Sequence, residues 1–109
     1  MSPIFHVAER AAWETARPAG RYEVSTRGVS LAEQGFVHCS TRAQVPGVLQ
    51  LFYADLDDLV LLEIDPDRLG VPVRYEQGFP HVYGPIPVPA VVAVHPLTRG
   101  QDGHFVLPD

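Results

Sequence analysis

The sequence predicts a single α+β domain built on a mixed or antiparallel sheet. At 109 residues with 46% hydrophobic content, the chain has room for one core and not for two. Strand-like segments outnumber helical ones, and the helical segments come early in the chain. In a protein with a parallel sheet, helices would instead alternate with strands. We therefore expect one domain over residues 1–109, with two or three short helices.

The N-terminal segment predicts a strand followed by a helix. Residues 4–7 form a short apolar run, and residues 8–17 are rich in good helix formers, with Trp13 as the one large apolar anchor. A proline, two glycines and a polar run then indicate a loop over residues 18–28.

Two helix signals flank the segment 35–41, whose sequence is GFVHCST. Upstream, Ser30 and Glu33 have the spacing of a capping box, and Gly35 stands where a short helical turn would end. Downstream, Thr41 and Gln44 repeat the capping-box spacing.

The segment between these signals has an unusual strand pattern. If residues 36–40 form a strand, Phe36, His38 and Ser40 lie on one face, and Cys39 lies on the other. A histidine and a hydroxyl thus replace an apolar row, which indicates a site or a rim. We interpret Cys39 as a small buried apolar residue, with a catalytic thiol as the alternative.

The middle of the chain predicts a helix and a central strand. Pro46 fits the first turn of a helix whose apolar stripe, Val48, Leu49, Phe52 and Tyr53, lies on the sheet. Residues 59–64 are the most apolar run and predict a strand buried on both faces. Residues 65–70 have the cap, proline and glycine of a single helical turn.

The last third predicts strands with little helix. Residues 71–76 alternate as a strand, residues 77–78 form a turn, and residues 91–94 form the last strand. Four of the 11 prolines fall within residues 79–89, which restricts this stretch to a sheet edge or a rigid loop. Residues 98–109 are polar and predict a loosely tied tail.

Composition narrows the function classes. The formal net charge of −5 argues against a nucleic-acid binder, whose affinity comes mostly from phosphate neutralisation. No apolar run approaches ~18 residues, and the first residues lack the pattern of a signal peptide, so we expect a cytoplasmic protein without a membrane span. A single cysteine excludes an internal disulfide and suits a reducing compartment.

Three histidines and one carboxylate are the residues most suited to chemistry: His6, His38 and His81 lie on or beside predicted strands, and Glu76 ends another. If these strands are neighbours, the side chains converge on one cleft. Their spacing lacks the short separations of metal motifs, so we expect no metal. Hydrolysis with Ser40 or Cys39 as nucleophile is an alternative, without a local signature to support it.

The order of motifs along the chain strongly resembles the bacterial DUF952 family over residues 4–94. The resemblance is carried by IFH at 4–6, GFVHCST at 35–41, LLEID at 61–65, YE at 75–76 and FPHVYGPI at 79–86. That family is grouped with the ADP-ribosyltransferase-like fold, which includes the RNA 2'-phosphotransferases. The resemblance therefore implies a split sheet, and it implies NAD or a related nucleotide as the ligand.

The resemblance also implies roles for individual residues. His6 looks like the first-strand histidine that holds NAD, His38 looks like the histidine of a later strand motif, and Glu76 looks like the glutamate that orients the ribose. Catalytic roles are thus expected for these three residues. The expected binding residues are arginines for the pyrophosphate and polar or aromatic groups lining the cleft: Arg10, Arg21, Arg27, Ser40, Thr41, His81 and Tyr83.

Two functions follow as expectations. The first is binding of NAD or a related nucleotide, with ADP-ribosyl transfer or glycohydrolysis. The second is a non-catalytic module that binds a small metabolite or a peptide in the same cleft. For each residue a purely structural role stays open: His6 and His38 as core histidines, and Glu76 as an exposed carboxylate paired with Arg74.

Overall fold

The computed structural model describes residues 2–108, which form eleven strands and three α-helices. None of these helices has the length and hydrophobicity that a transmembrane span requires. The α-helices are α1 (Arg10–Ala19), α2 (Leu31–Gln34) and α3 (Val45–Phe52), and 3-10 turns cover Arg42–Gln44, Pro66–Arg68 and Val88–Ala90. The strands are β1 (Ile4–Glu9), β2 (Arg21–Tyr22), β3 (Val24–Thr26), β4 (Val29–Ser30), β5 (Val37–His38), β6 (Leu59–Ile64), β7 (Val73–Glu76), β8 (Phe79–Val82), β9 (Ile86–Pro87), β10 (Val91–Arg99) and β11 (Phe105–Val106).

Two antiparallel sheets form the centre of the fold. One has four strands in the order β1-β6-β10-β11, and the other has three in the order β5-β8-β7. A single bridge joins them: the Phe5 and Ser40 backbones exchange N–H···O bonds of 2.8 and 2.7 Å. The predicted α+β class is confirmed, and the pairings within both sheets are antiparallel.

Alternation along the central strands creates two cores, one on each side of the four-stranded sheet. Leu62 and Ile64 face the first core, which α1 covers, whereas Leu59 and Leu61 face the second core, beneath α3. All four side chains are fully buried. The prediction that residues 59–64 form a central strand buried on both faces is therefore confirmed.

The helix signals in the sequence are confirmed with small shifts. Ser30 Oγ and the Glu33 carboxylate form the capping box of α2, which ends at Gly35 with φ of 91°. Pro46 lies in the first turn of α3. Helix α1 begins at Arg10 and continues through Pro18, two residues beyond the predicted end, because proline's fixed φ is helical and only one backbone donor is lost.

Strand β8 corrects the prediction for residues 79–89 in its first four residues. The prolines were expected to confine this stretch to an edge or loop, yet β8 lies between β5 and β7. Pro80 is tolerated there because its carbonyl still accepts a 3.0 Å hydrogen bond from the Cys39 N–H. Only the hydrogen bond that a backbone N–H at position 80 would donate is lost.

The C-terminal segment is ordered by a hairpin. Strand β10 runs five residues beyond its predicted end, and β11 pairs with it at Thr98 and Arg99. Phe105 and Leu107 pack against the second core. The prediction of a loose tail from Thr98 is therefore wrong up to Pro108, because strand pairing and two apolar side chains both tie this polar stretch to the fold.

Candidate functional site

Three neighbouring strands place polar and aromatic side chains on one face. In the register, His38 of β5 lies opposite His81 of β8, and Glu76 of β7 lies opposite Phe79. Residues that oppose each other in antiparallel strands share a face, so these four side chains point to the same side. Helix α3 forms the facing wall with Val48 and Phe52. The cleft between them has a volume of about 630 Å³, and we call it the histidine cleft.

The Glu76 carboxylate is the centre of a hydrogen-bonded group in this cleft. Its Oε1 accepts a 2.9 Å bond from His81 Nδ1 and a further bond from the Tyr83 hydroxyl. These bonds, that of Tyr83 first, lower the pKa of Glu76, so the carboxylate is ionised at neutral pH. The same bond raises the pKa of Tyr83, which stays a donor.

Aromatic contacts fix the remaining members of the group. The Phe36 ring stacks on His81 with centroids 3.9 Å apart and planes within 6°. The guanidinium of Arg74 lies 5.3 Å above the centre of the Tyr83 ring. The carboxylate, its two donors and one cation are thus held in place by rings.

His38 lies deeper in the cleft, surrounded by rings. Its ring centroid is 5.2 Å from that of Phe79, 5.6 Å from His81 and 6.5 Å from Phe52. Desolvation, with a smaller contribution from His81, lowers the pKa of His38. The imidazole is therefore neutral at pH 7, with one nitrogen able to donate a hydrogen bond and the other able to accept one.

His6 does not reach the histidine cleft, so the predicted convergence of all three histidines is wrong. The Phe5–Ser40 bridge places Phe5 on the face of His38 and turns His6 to the opposite face. There His6 is 2% exposed. Its Nδ1–H donates to the His38 carbonyl at 2.7 Å, and Nε2 accepts from the Tyr22 hydroxyl at 3.0 Å.

The other predicted binding residues divide similarly. His81 lines the cleft with Glu76 and His38, and Tyr83 lies beside it, bonded to Glu76. Ser40 and Thr41 do not line the cleft. Ser40 is buried at the bridge between the sheets. The Thr41 N–H donates to Gln44 Oε1 at 2.9 Å, and Thr41 begins the turn before α3.

The three arginines predicted to bind a pyrophosphate form ion pairs outside the cleft lining. Arg10 lies 2.7 Å from Asp58, Arg21 lies 3.4 Å from Glu23, and Arg27 lies 2.5 Å from Asp55. Arg74 is the cation next to the site, and the site prediction missed it. Its position two residues before Glu76 on an alternating strand was the available signal, because that spacing puts both side chains on one face.

Within residues 2–108, no three histidine, cysteine, aspartate or glutamate side chains stand close enough to hold a metal ion together. What the cleft does offer is an ionised carboxylate, a neutral imidazole and several ring faces. These groups can stack a flat ligand, hydrogen-bond hydroxyl groups and stabilise a positive charge.

The fold and the cleft together define a small antiparallel α+β protein with a ring-lined cleft, whose volume lies in the range usual for small-molecule sites. Residues 7–94 match the family described as "Protein of unknown function (DUF952)", and the chain belongs to that family. The predicted family membership is thereby confirmed.

Solved structures of one protein, CC0527 from Caulobacter crescentus, are similar to this chain over nearly its whole length. Its crystal structure is 31% identical, with a TM-score of 0.81, and the match covers 97% of this chain and 95% of that one. A crystal structure of a double mutant gives 29% identity with the same coverage and TM-score. Its solution NMR structure gives 33% identity and a TM-score of 0.75, covering 95% and 91% of the two chains. No curated protein matches the chain.

Proposed function

We propose that the histidine cleft binds NAD or a related nucleotide and that Glu76 supports cleavage of its N-glycosidic bond. One observation carries this proposal. An ionised carboxylate, held by His81 and Tyr83, borders a cleft of about 630 Å³ with aromatic walls. Small-molecule sites of about 300–1,000 Å³ commonly combine apolar walls with a few fixed polar groups in this way.

The walls of the cleft suit a flat ring. Phe52 on α3 and Phe79 on β8 line the cleft from its two sides, with the His38 ring between them. A base or a pyridine ring that enters between such side chains gains stacking contacts, worth about 0.5–1.5 kcal/mol per pair beyond the buried area.

The polar groups suit a ribose and its reaction. When the N-glycosidic bond breaks, the base leaves with the bonding electrons and positive charge develops on the sugar, which a nearby carboxylate stabilises. Water then adds to the anomeric carbon and loses a proton to solvent. Glu76 is ionised for this role, and neutral His38 can hydrogen-bond a ribose hydroxyl. Arg74 is the cation positioned to meet a phosphate, since its guanidinium lies over Tyr83 beside Glu76.

The choice of NAD among nucleotides rests on the resemblance of the motif order to the DUF952 family and on the grouping of that family with the ADP-ribosyltransferase-like fold. In that resemblance His6 corresponds to a ligand-binding histidine. Here both of its ring nitrogens are occupied inside the core, so the proposal assigns the chemistry to His38 and Glu76 alone.

One observation favours a second function, a non-catalytic module for a small metabolite or a peptide. Leu51 and Phe52 both line the cleft from α3, yet they are 74% and 46% exposed. Exposed apolar side chains beside a cleft are typical of binding surfaces. A ligand could cover them without any bond being broken.

Titration with NAD and ADP-ribose tests the proposal, with release of the free base as the readout for turnover. We expect saturable binding, turnover that Glu76→Gln lowers by about 10²–10³-fold, and binding by that variant within a few-fold of the wild type. Glu14→Gln, an exposed change on α1, is the matched control and should leave both readouts unchanged.

The outcomes separate the two functions. Binding that Glu76→Gln does not alter, with no base released by the wild type, would establish the non-catalytic module. If millimolar NAD and ADP-ribose leave the NMR signals of residues 36–38 and 79–83 unmoved, nucleotide binding at this cleft is refuted.

A further inference from the structure

The turn between β7 and β8 has a strained backbone and lies at the rim of the histidine cleft. It consists of Gln77 and Gly78, whose φ angles are 54° and 84°, and we call it the β7–β8 turn. Two positive φ values in a two-residue hairpin loop are the pattern of a type I′ turn, which favours asparagine, aspartate or glycine at its first position. Gln77 is the only non-glycine residue with a positive φ within residues 2–108. Such strain persists only where the surrounding structure holds it, and it is common at functional sites.

Gln44 holds the β7–β8 turn from outside the hairpin. Its Nε2 donates to the Gly78 carbonyl at 2.8 Å, while its Oε1 accepts from the Thr41 N–H at 2.9 Å. Both ends of the side-chain amide are therefore used, which fixes the amide in one orientation. Within residues 2–108, no other hydrogen bond joins the β7–β8 turn to a segment outside the hairpin.

The bond from Gln44 connects the two walls of the histidine cleft. Gln44 ends the 3-10 turn that leads into α3, so it belongs to the wall that carries Val48 and Phe52. The β7–β8 turn belongs to the opposite wall, directly after Glu76. Phe79 ties that wall to the second core by packing. The hydrogen bond adds a direction to this contact, because a carbonyl and an N–H pair well only over a limited range of angles.

The position of Glu76 in the cleft depends on this link. The β7–β8 turn runs from Glu76 to Phe79, which lie opposite each other in the two strands. The hydrogen bonds of the Glu76 carboxylate go to His81 on β8 and to Tyr83 directly after it. These bonds orient the carboxylate relative to β8 and not relative to α3. Gln44 supplies the connection to α3.

We infer that Gln44 is a positioning residue: by holding the β7–β8 turn against the start of α3, it sets where the Glu76 carboxylate meets a ligand in the histidine cleft. The inference rests on the proposed function for the role of Glu76. Its structural part, the bond that holds the turn, is measured without any ligand.

Gln44→Glu tests the inference, because the carboxylate still accepts from the Thr41 N–H but cannot donate to the Gly78 carbonyl. Glutamate also serves at this position of a capping box, so the start of α3 is kept. We expect lower heteronuclear NOE values at residues 77–78, which report a less ordered backbone. Gln50→Glu, an exposed change on α3 with the same added charge, is the control and should leave these values unchanged.

Turnover separates positioning from a general loosening of the fold. Gln44→Glu should lower the release of base from NAD by about 5–10-fold, the cost of one lost hydrogen bond, and change the Kd of ADP-ribose by no more than about 3-fold. In the Glu76→Gln background the same change should cause no further loss, because Gln44 acts through Glu76. Gln77→Asn, which suits a type I′ turn, should restore part of the NOE values and of the turnover in Gln44→Glu.

Two results would overturn the inference: NOE values at residues 77–78 that Gln44→Glu leaves unchanged, or an equally large loss of turnover in the Glu76→Gln background. Failure of the proposed function looks different. A wild-type protein that releases no base refutes the proposed function and, with it, the catalytic consequence of Gln44. Lower NOE values in Gln44→Glu would then still establish that Gln44 holds the turn.

Discussion

The His6 ring links the two central sheets, β1-β6-β10-β11 and β5-β8-β7. Its Nδ1–H donates to the His38 carbonyl, and its Nε2 accepts from Tyr22, so both nitrogens are used and the tautomer is fixed. His38 accepts this hydrogen bond with its backbone carbonyl, and its side chain lines the histidine cleft. His6 therefore helps to position the histidine cleft while remaining in the core on the opposite face.

Burial of His6 makes stability depend on pH. Desolvation lowers the pKa of His6 from 6.5 to about 4. Above pH 6.5 the ring is neutral in both the folded and unfolded states. As pH falls from about 6.5 to 4, the unfolded state takes up a proton that the folded state excludes, so the free energy of unfolding decreases by roughly 2–3 kcal/mol.

Urea unfolding at pH 7.0 and 4.5 measures this decrease. His6→Gln removes the titrating group, and its own pH dependence reports the carboxylates and the other histidines. The wild type should lose about 2–3 kcal/mol more than His6→Gln between the two pH values. Equal losses in the two proteins would show that His6 is protonated normally in the folded state.

Cys39 is predicted to be unreactive in the folded protein. The thiol is fully buried, and burial raises its pKa, so little thiolate forms at neutral pH. Labelling with an aromatic disulfide reagent should be at least ~100-fold slower in buffer than in denaturant, because it requires the structure to open. Rapid labelling in buffer would instead support the catalytic thiol that the sequence left open.

At the scale of the elements, close approach of two segments limits what can replace one glycine. The Tyr83 N–H donates to the Pro72 carbonyl at 3.1 Å, which draws Gly84 against Val71. A Cβ on Gly84 would lie 2.7 Å from Val71 Cγ1 and 3.2 Å from its Cβ. This contact sits directly after the strand that carries His81, and it holds the end of that strand in place.

Gly84→Ala should therefore destabilise the protein by about 1–3 kcal/mol, the usual range for overpacking, and denaturant unfolding measures it. Gly47→Ala is the matched control. Gly47 lies inside α3 with nothing within 4 Å of its would-be Cβ, so the same change there should stabilise by about 0.5–1 kcal/mol. Equal effects at the two sites would show that the Gly84–Val71 contact carries no cost.

For the whole molecule, local patterns predicted more than long-range pairings. Capping boxes, turn glycines and the apolar run at residues 59–64 are local signals, and each is found in the structure. The bridge between Phe5 and Ser40 joins segments 35 residues apart, and its register puts His6 and His38 on opposite faces. The sequence contains no signal for that register, which explains why the expected proximity is found for His38, Glu76 and His81 but not for His6.

The C-terminal hairpin also depends on long-range contacts that the sequence does not predict. Arg99 holds it to the loop after α3: Nε donates to Asp57 at 2.6 Å, and Nη2 donates to the carbonyls of Ala54 and Leu56 at 2.6 and 2.7 Å. Its guanidinium also lies 4.2 Å from the centre of the Phe105 ring. None of these partners could be inferred from composition, which made the segment look like a free tail.

Arg99→Lys should therefore destabilise the protein by about 1–3 kcal/mol, although the charge is kept. The three N–H donors of a lysine share one nitrogen, so they do not match the separate positions of Nε and Nη2, and the ammonium cannot lie flat on the ring. Arg10→Lys is the control, because Arg10 makes a single exposed pair with Asp58, and it should change stability by no more than about 0.5 kcal/mol. Urea unfolding measures both changes, and hydrogen exchange at residues 98–106 locates the loss. A loss that leaves exchange in the hairpin unchanged would mean that Arg99 stabilises the loop after α3 and not the hairpin.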